Sequence, residues 1–250
     1  MWTPTRPAPL LPTIPGVFTD RVAAAAASLF LGAMCAGCGR AGPSPCVQCR
    51  RAIMSTLPRA PWVDLGVPVV AAGEYAGVTR ALLLSAKERG SLGTVPLLGQ
   101  RLAVAVALLC AAVAADGPLV LVPVPSPRGR VAERGLDFTG SLARAAARRL
   151  GASGVPAGVC AGLGLRRRPD DQAGLDRAER HRNLSGAFTA RSRLPPGTLI
   201  VVDDIVTTGA TLAEAVRALA EAGRAPVGAA TVAATTRNGG ARWNRTPPPA

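Results

Sequence analysis

The sequence predicts an α/β fold with an open, mostly parallel sheet, flanking helices and a small cysteine-rich module near the N-terminus. Apolar runs at residues 119–123, 198–202 and 226–234 are typical of strands buried on both faces of a parallel sheet. Helical patterns separate these runs, as in βαβ units. Two closely spaced cysteine pairs precede this region and predict the separate module.

Composition divides the chain into five segments. The two ends, a Pro-rich arm at 1–18 and a Gly/Pro-rich tail at 237–250, are expected to be disordered. Between them lie a helix with the cysteine module at 19–56, a connecting segment with one strand and one helix at 57–96, and the α/β domain at 97–236. Within the α/β domain we expect helices at 98–115, 136–150 and 210–222 and a weak strand at 155–160.

The charge balance is strongly basic, with a formal net charge of +14 over 250 residues. Such a charge suits an anionic partner, either a phosphorylated metabolite or nucleic acid. Lys87 is the only lysine, however, and arginine supplies all the other basic residues beside abundant Ala, Gly and Pro. This mix is also typical of the coding bias of a GC-rich genome, so both interpretations stay open.

The apolar stretches at 22–34 and 102–115 are shorter than the roughly 18–20 residues that span a bilayer. We therefore expect no membrane insertion. Arg21 and the alanines that follow would also suit an export signal, but no clear cleavage site comes before the cysteines. Paired cysteines in a reducing compartment favour metal binding, so the expected location is the cytoplasm.

The segment LIVVDDIVTTGATLAE at 199–214 carries the strongest functional pattern. Four apolar residues lead into Asp203 and Asp204, at the strand end where open α/β sheets bind ligands. The hydroxyl-rich turn 207–211 then opens a helix, whose free N–H groups and dipole attract phosphate. A carboxylate beside that pocket can accept hydrogen bonds from a vicinal diol, which indicates a sugar phosphate. The alternative is that the two acids only end a strand and Thr208 only caps a helix.

Two charged loops could complete this site. The sequence LVPVPSPRGR at 121–130 leaves a buried strand, and its arginines could bind pyrophosphate bidentately or form a solvated basic turn. The loop 166–188 could close over a ligand or be an ordinary exposed loop. His181, the only histidine, fits an exposed loop position better than a catalytic base.

Four cysteines form the pattern C-x2-C-x7-C-x2-C, namely Cys35, Cys38, Cys46 and Cys49. Four thiolates in two knuckles suit a closed, structural Zn²⁺ site. A redox pair or unrelated thiols are the alternatives. Cys110 and Cys160 lie in apolar runs and are expected in the core.

Together these segments resemble the ComF family, which comprises competence-protein relatives among the type I phosphoribosyltransferases. The resemblance covers about residues 30–235 and includes both cysteine pairs, Tyr75, the segment Lys87-Glu-Arg-Gly, the VPVP loop, the 5-phosphoribosyl-1-pyrophosphate (PRPP) motif and a Gly186-Ala-Phe segment. Two positions depart from the family pattern. The chain has Leu-Asp137-Phe where relatives have FNQ, and Pro169 where they tend to have Thr. Both bear on turnover more than on PRPP binding.

The resemblance implies a type I phosphoribosyltransferase fold and a set of site residues. Asp203 and Asp204 would hold the ribose hydroxyls, and the turn would wrap the 5-phosphate. The implied PRPP-binding residues are Asp203, Asp204, Val206, Thr207, Thr208, Gly209, Ala210 and Thr211. Arg128, Arg130 and Arg134, with Mg²⁺, would stabilise the leaving pyrophosphate, and Gln172, Arg180 and Asn183 are the lid candidates.

Three functional hypotheses follow from the resemblance. The first is a phosphoribosyltransferase in which an unidentified nitrogenous base or amine displaces pyrophosphate from C1 of PRPP. The second is a non-catalytic accessory in DNA uptake or DNA handling, with single-stranded DNA or DNA-uptake proteins as partners. The third is a regulator that senses PRPP without catalysis. The sequence leaves open whether the site turns over.

Overall fold

The computed structural model describes residues 34–61, 63–126, 136–166 and 184–236. Three predicted segments lie outside these ranges: the arm at 1–18, the helix that begins the 19–56 segment and the tail at 237–250. The helices are α1 (Val47–Met54), α2 (Gly77–Arg89), α3 (Val95–Ala112), α4 (Phe138–Gly151) and α5 (Ala210–Glu221). The strands are β1 (Val69–Ala71), β2 (Leu119–Pro123), β3 (Ala157–Val159), β4 (Leu163–Leu165), β5 (Phe188–Ala190), β6 (Thr198–Val206) and β7 (Gly228–Ala234).

Within the described ranges, five strands form one sheet in the order β1-β7-β6-β2-β3. All its neighbouring strands pair in parallel, with Leu121 opposite Ile200 and Val201 opposite Ala229. The two remaining strands, β4 and β5, form a short antiparallel ribbon. The prediction of a mostly parallel sheet with flanking helices is confirmed.

Each face of the sheet is covered by its own hydrophobic core. Leu119 and Leu121 of β2 pack with α2, α3 and α4, whereas Val120 and Val122 pack with α5 and the β4–β5 ribbon. Successive strand residues point to opposite faces, so a strand buried on both sides must be apolar at every position. This explains why uninterrupted apolar runs marked these strands in the sequence.

The central strands β2 and β6 create a crevice at their carboxyl ends. From β2 the chain passes through α4 to β3 on one side, and from β6 it passes through α5 to β7 on the other. The helices α4 and α5 consequently lie on opposite faces of the sheet. Such a topological switch point is where open α/β sheets bind their ligands.

The segment between the cysteine module and the α/β domain contributes to the central sheet. Strand β1 is its edge strand, and α2 packs in the same core as α3 and α4. The buried Arg101 of α3 fixes this region, because its guanidinium donates to the carbonyl oxygens of Met54, Thr56 and Ala72. The domain boundaries at 57 and 97 stay predictions.

Several element bounds differ from the prediction for local reasons. Strand β6 extends to Val206 rather than 202, because Asp203 and Ile205 still pair with β7. Helix α3 begins at Val95, with proline in its first turn, where the missing N–H costs nothing. Helix α4 begins at Phe138, because the Asp137 carboxylate caps it by accepting from the Gly140 N–H at 3.1 Å.

One segment of the described chain, Leu92–Ala112, is long and apolar enough to cross a bilayer by length and composition. Gln100 and Arg101 interrupt the apolar run, so the sequence did not predict a segment of this length. Half of the segment is buried inside the protein, with Leu98 and Leu102 fully enclosed by the core. The absence of membrane insertion stays a prediction.

Candidate phosphoribosyl site

Two adjacent carboxylates lie at the carboxyl end of the central strand β6. Asp203 and Asp204 are 9% and 5% exposed. The Asp204 N–H donates to Asp203 Oδ1 at 2.8 Å, and the Ile205 N–H donates to Asp204 Oδ1 at 2.9 Å. The backbone therefore holds both carboxylates in place before any ligand arrives.

A lysine from a distant part of the chain joins this pair. Lys87 Nζ, in the last turn of α2, donates to Asp204 Oδ2 at 2.6 Å and forms an ion pair with it. The predicted site residues did not include Lys87, which was noted only as part of the segment Lys87-Glu-Arg-Gly in the family resemblance. Its being the only lysine of the chain was the one signal that could have singled it out.

The buried pair has unusual electrostatics. Burial raises the pKa of Asp203 well above its usual value, and the charge of Asp204 raises it further. The ammonium group of Lys87 and the Asp204 N–H act in the opposite direction. Two neighbouring carboxylates with little solvent repel each other, so a cation or hydroxyl donors nearby favour their charged form.

The turn after β6 presents the N-terminus of α5 to the same crevice. Gly209 precedes the first residue of α5 and is in the left-handed region, with φ of 83°. Because it has no side chain, it cannot cap the N–H groups of the first turn. The Thr208 hydroxyl accepts from the Ala210 N–H at 3.4 Å. The first turn of α5 carries no acidic side chain, so nothing there opposes an anion.

The predicted PRPP-binding residues differ in what they expose. Thr207 is exposed, and Thr208 and Thr211 are partly exposed. Val206 and Ala210 are buried in the second core, so their side chains pack and only their backbone could meet a ligand. The remaining predicted site residues, Arg128, Arg130, Arg134, Gln172, Arg180 and Asn183, lie outside the described residues.

The segment 63–65 supports this turn from behind. A β-carbon added to Gly209 would lie 2.9 Å from Cβ and Cγ1 of Val63 and 3.3 Å from Leu65 Cδ2. Residues 57–65 were predicted only as part of the connecting segment, so this role was not predicted. No local pattern marks a contact between residues so far apart in the chain.

The ends of the charged loop 166–188 are anchored to α5. The Arg166 N–H donates to the Ala187 carbonyl at 2.8 Å. Buried Glu214 accepts from the Phe188 N–H at 2.9 Å and pairs with Arg217 at 2.7 Å. Burial would raise the pKa of Glu214, but these donors lower it below its usual value. Helix α5, which follows the turn 207–211, therefore also fixes one end of this loop.

The four predicted zinc ligands come together. The sulfur atoms of Cys35, Cys38, Cys46 and Cys49 all lie within 4.8 Å of one another. Zn²⁺ bound to four thiolates at about 2.3 Å requires sulfur atoms about 3.8 Å apart, and the pair Cys38–Cys46 is at 3.7 Å. The four thiols can hold a zinc ion with only small adjustments.

The environment of Cys35 favours a thiolate, whereas that of Cys49 does not. The N–H groups of Cys46 and Gly37 point to Cys35 Sγ at 3.3 and 3.4 Å. Burial opposes ionisation of Cys35, but these N–H donors prevail and lower its pKa to about 6. Burial and the neighbouring cysteines raise the pKa of Cys49. A β-carbon at Gly37 would lie 2.7 Å from Cys49 Sγ, so this knuckle requires glycine.

The geometry at the switch point places a buried carboxylate pair beside the N-terminus of a helix. Residues 131–245 match the family model of the phosphoribosyl transferase domain. This part of the chain is therefore similar to phosphoribosyl transferase domains. A search of curated proteins found no match.

The part of the chain that matches the family model contains β6, the turn 207–211, α5 and β7. The first half of the site comes from residues before the match. Strand β2 forms one wall of the crevice, and α2 brings Lys87 to the carboxylate pair. The parallel sheet and the four-cysteine cluster fit a type I phosphoribosyltransferase fold with a small zinc module.

Proposed function

We propose that this chain is a ComF-like phosphoribosyltransferase that transfers the 5-phosphoribosyl group of PRPP to an unidentified nitrogenous acceptor and releases pyrophosphate. The observation that carries the proposal is the position of Asp203 and Asp204 next to the open N-terminus of α5, at the switch point of the sheet. The proposed location is the cytoplasm, where closely paired cysteines bind metal rather than form disulfides.

Binding of the ribose phosphate follows from this geometry. The backbone N–H groups at the start of α5 and the hydroxyls of Thr207, Thr208 and Thr211 bind the 5-phosphate. The carboxylates of Asp203 and Asp204 accept hydrogen bonds from the 2- and 3-hydroxyls of the ribose. The sugar then lies across the carboxyl ends of β2 and β6, where its C1 faces the loop that leaves Pro123.

Departure of pyrophosphate is the step that needs positive charge. Glycosyl centres react through oxocarbenium-like transition states, in which negative charge accumulates on the leaving group. Arg128, Arg130 and Arg134 follow β2 in the sequence and are proposed to stabilise that charge. Mg²⁺ held mainly by the substrate phosphates would neutralise part of that charge.

The proposal is tested by calorimetry with PRPP and Mg²⁺ on the wild type and on Asp204→Asn. We expect wild-type binding in the micromolar range and a loss of at least tenfold in the variant, because a charged acceptor of two hydroxyls is removed. The exposed Asp116, which lies before the amino end of β2, provides the matched control Asp116→Asn. No binding by the wild type at millimolar PRPP would contradict the proposal. A screen of bases and amines for pyrophosphate release then identifies the acceptor.

A role in DNA handling is the second candidate, and helix α4 is the feature that favours it. Its exposed face carries Arg144, Arg148 and Arg149, and none of them forms an ion pair with another described residue. Unpaired arginines suit phosphate backbones. Binding of single-stranded DNA that weakens steeply with salt and is lost in the triple alanine variant would support this role. Salt-insensitive binding, or none, would contradict it.

A further inference from the structure

The only lysine of the chain lies at the proposed ribose site, although arginine serves every other basic position. We propose that Lys87 is a positioning residue for ribose recognition, which acts through Asp204 and for which arginine cannot substitute. This inference rests on the proposed function and adds a residue and a reason for its chemical type.

The fold fixes the position of the ammonium group. Helix α2 is anchored in the first core by Leu82, Leu83 and Ala86, all of which are buried. Lys87 follows directly and lies in the last turn of the helix, where the helix dipole favours a cation. Its side chain is 34% exposed, whereas that of Asp204 is 6% exposed. The lysine therefore reaches inward from the edge of the site to a carboxylate that solvent hardly reaches.

Lys87 balances a charge that the site would otherwise have to hold alone. Asp203 and Asp204 are consecutive and buried, so ionising both is costly without a nearby cation. Among the described residues, Lys87 is the cation that forms an ion pair with this pair of acids. A protonated carboxyl accepts hydroxyl hydrogen bonds less strongly than a carboxylate. Lys87 offsets part of that cost through its ion pair with Asp204.

The contact pattern explains why the cation is a lysine. Asp204 Oδ1 accepts from the Ile205 N–H, and Oδ2 accepts from Lys87 Nζ. Each carboxylate oxygen has a second lone pair, so both oxygens can still receive a ribose hydroxyl. An arginine fork binds both oxygens of a carboxylate side by side. It would occupy the positions that the two hydroxyls need.

The experiment compares Lys87→Arg and Lys87→Met with the wild type, and uses Arg80→Met as a control on the exposed surface of the same helix. Calorimetry with Mg²⁺ measures the dissociation constants of PRPP, ribose 5-phosphate and 2-deoxyribose 5-phosphate. Melting temperatures establish that each variant is folded. If Lys87→Met does not fold, Lys87→Arg, which keeps the charge, carries the test.

We expect PRPP to bind about tenfold or more weakly to both Lys87 variants, because a hydrogen-bonded charged contact is disturbed. We also expect the wild-type preference for ribose over 2-deoxyribose 5-phosphate to shrink to about twofold or less in the variants. If Lys87 had a purely structural role, the variants would bind ribose 5-phosphate and 2-deoxyribose 5-phosphate more weakly by the same factor. Arg80→Met should bind like the wild type.

Two results would overturn the inference, and they are distinguishable. If the wild type binds PRPP and both Lys87 variants bind within twofold of it with the sugar preference intact, Lys87 has no positioning role. If the wild type binds no PRPP, the proposed function fails and the inference fails with it.

Discussion

Asp203 is a buried acid beside a second carboxylate, and its pKa is raised by burial and by that neighbouring charge. The folded protein therefore binds this proton more tightly than the unfolded chain does. Stability contributed by the neutral form is present at low pH and is lost as the pH rises through the raised pKa. A ligand that donates two hydroxyl hydrogen bonds would offset this cost in the bound state.

Asp203→Asn should therefore stabilise the free protein. Asparagine resembles the protonated acid, and its Oδ1 can still accept from the Asp204 N–H. We expect a melting temperature above that of the wild type at pH 8 and a difference near zero at pH 4, together with at least tenfold weaker PRPP binding. Thermal denaturation across this pH range measures the effect; a variant less stable than the wild type at pH 8 would refute it.

Gly209 should tolerate no side chain. Its φ of 83° costs a non-glycine residue roughly 1–2 kcal/mol, and an added β-carbon would lie 2.9 Å from Val63. We expect Gly209→Ala to lose about 2–4 kcal/mol in the free energy of unfolding and to bind PRPP poorly. Gly223→Ala is the matched control, since its φ is 72° and nothing lies within 4 Å. Equal losses in urea denaturation would show that Val63 does not restrict the turn.

At the scale of elements, Arg101 links three segments that the sequence places apart. Its guanidinium, on α3, binds carbonyl oxygens at the end of α1, at Thr56 and just after β1. Burial lowers its pKa, since a charged group is costly away from water. The buried Ala72 carbonyl needs a donor, so this single side chain links the end of β1 and the end of α1 to α3.

Arg101→Met should consequently destabilise the fold. The variant keeps most of the apolar stem but removes the donor from the buried Ala72 carbonyl and from the partly buried carbonyls of Met54 and Thr56. A buried acceptor without a partner costs about 1–3 kcal/mol. We expect a loss of about 3 kcal/mol or more, or roughly 6–12 °C in melting temperature for a chain of this size. Arg149→Met, on the exposed face of α4, should change the melting temperature by less than about 2 °C. A similar small change in Arg101→Met would contradict the proposed linking role.

The elements that could be predicted from sequence are those with uninterrupted apolar runs. Strands β2 and β7 and the first part of β6 satisfy this condition, because both faces of the sheet are covered. The last part of β6 was missed, since Asp203 and Asp204 interrupt the apolar pattern while their backbones continue the ladder. Lys87 was missed for another reason: its partner is 117 residues away, and only the folded chain brings the two together.

At the scale of the whole molecule, the cysteine module packs against the helix that carries Lys87. Helix α1 contributes Ile53 to the first core. Ala36, between the first two cysteines, and Val78, in α2, pack against the same core. Gly37 lies close to both Cys49 and Val78, so the first knuckle, Cys35–Cys38, lies directly against α2. A change in the metal site is therefore expected to reach the proposed ribose site through α2.

Removal of the metal tests this connection. Cys49→Ser should lose the bound zinc, measured by elemental analysis as one ion per wild-type chain, and should lower the melting temperature. PRPP binding should weaken about threefold or more, because the position of Lys87 is disturbed. Cys160→Ser, outside the cluster, should keep its metal and its affinity. Unchanged zinc content in Cys49→Ser would reject the structural site.

The single lysine gives the chain one ε-amino group, next to the proposed ligand. Amine-directed acylating reagents can therefore modify at most this group and the α-amino group, and peptide mass separates the two products. A bound sugar phosphate would cover Lys87 and slow its acylation. The molecule thus contains a natural covalent reporter of occupancy, and the rate of modification measured by peptide mass would follow ligand binding without any introduced label.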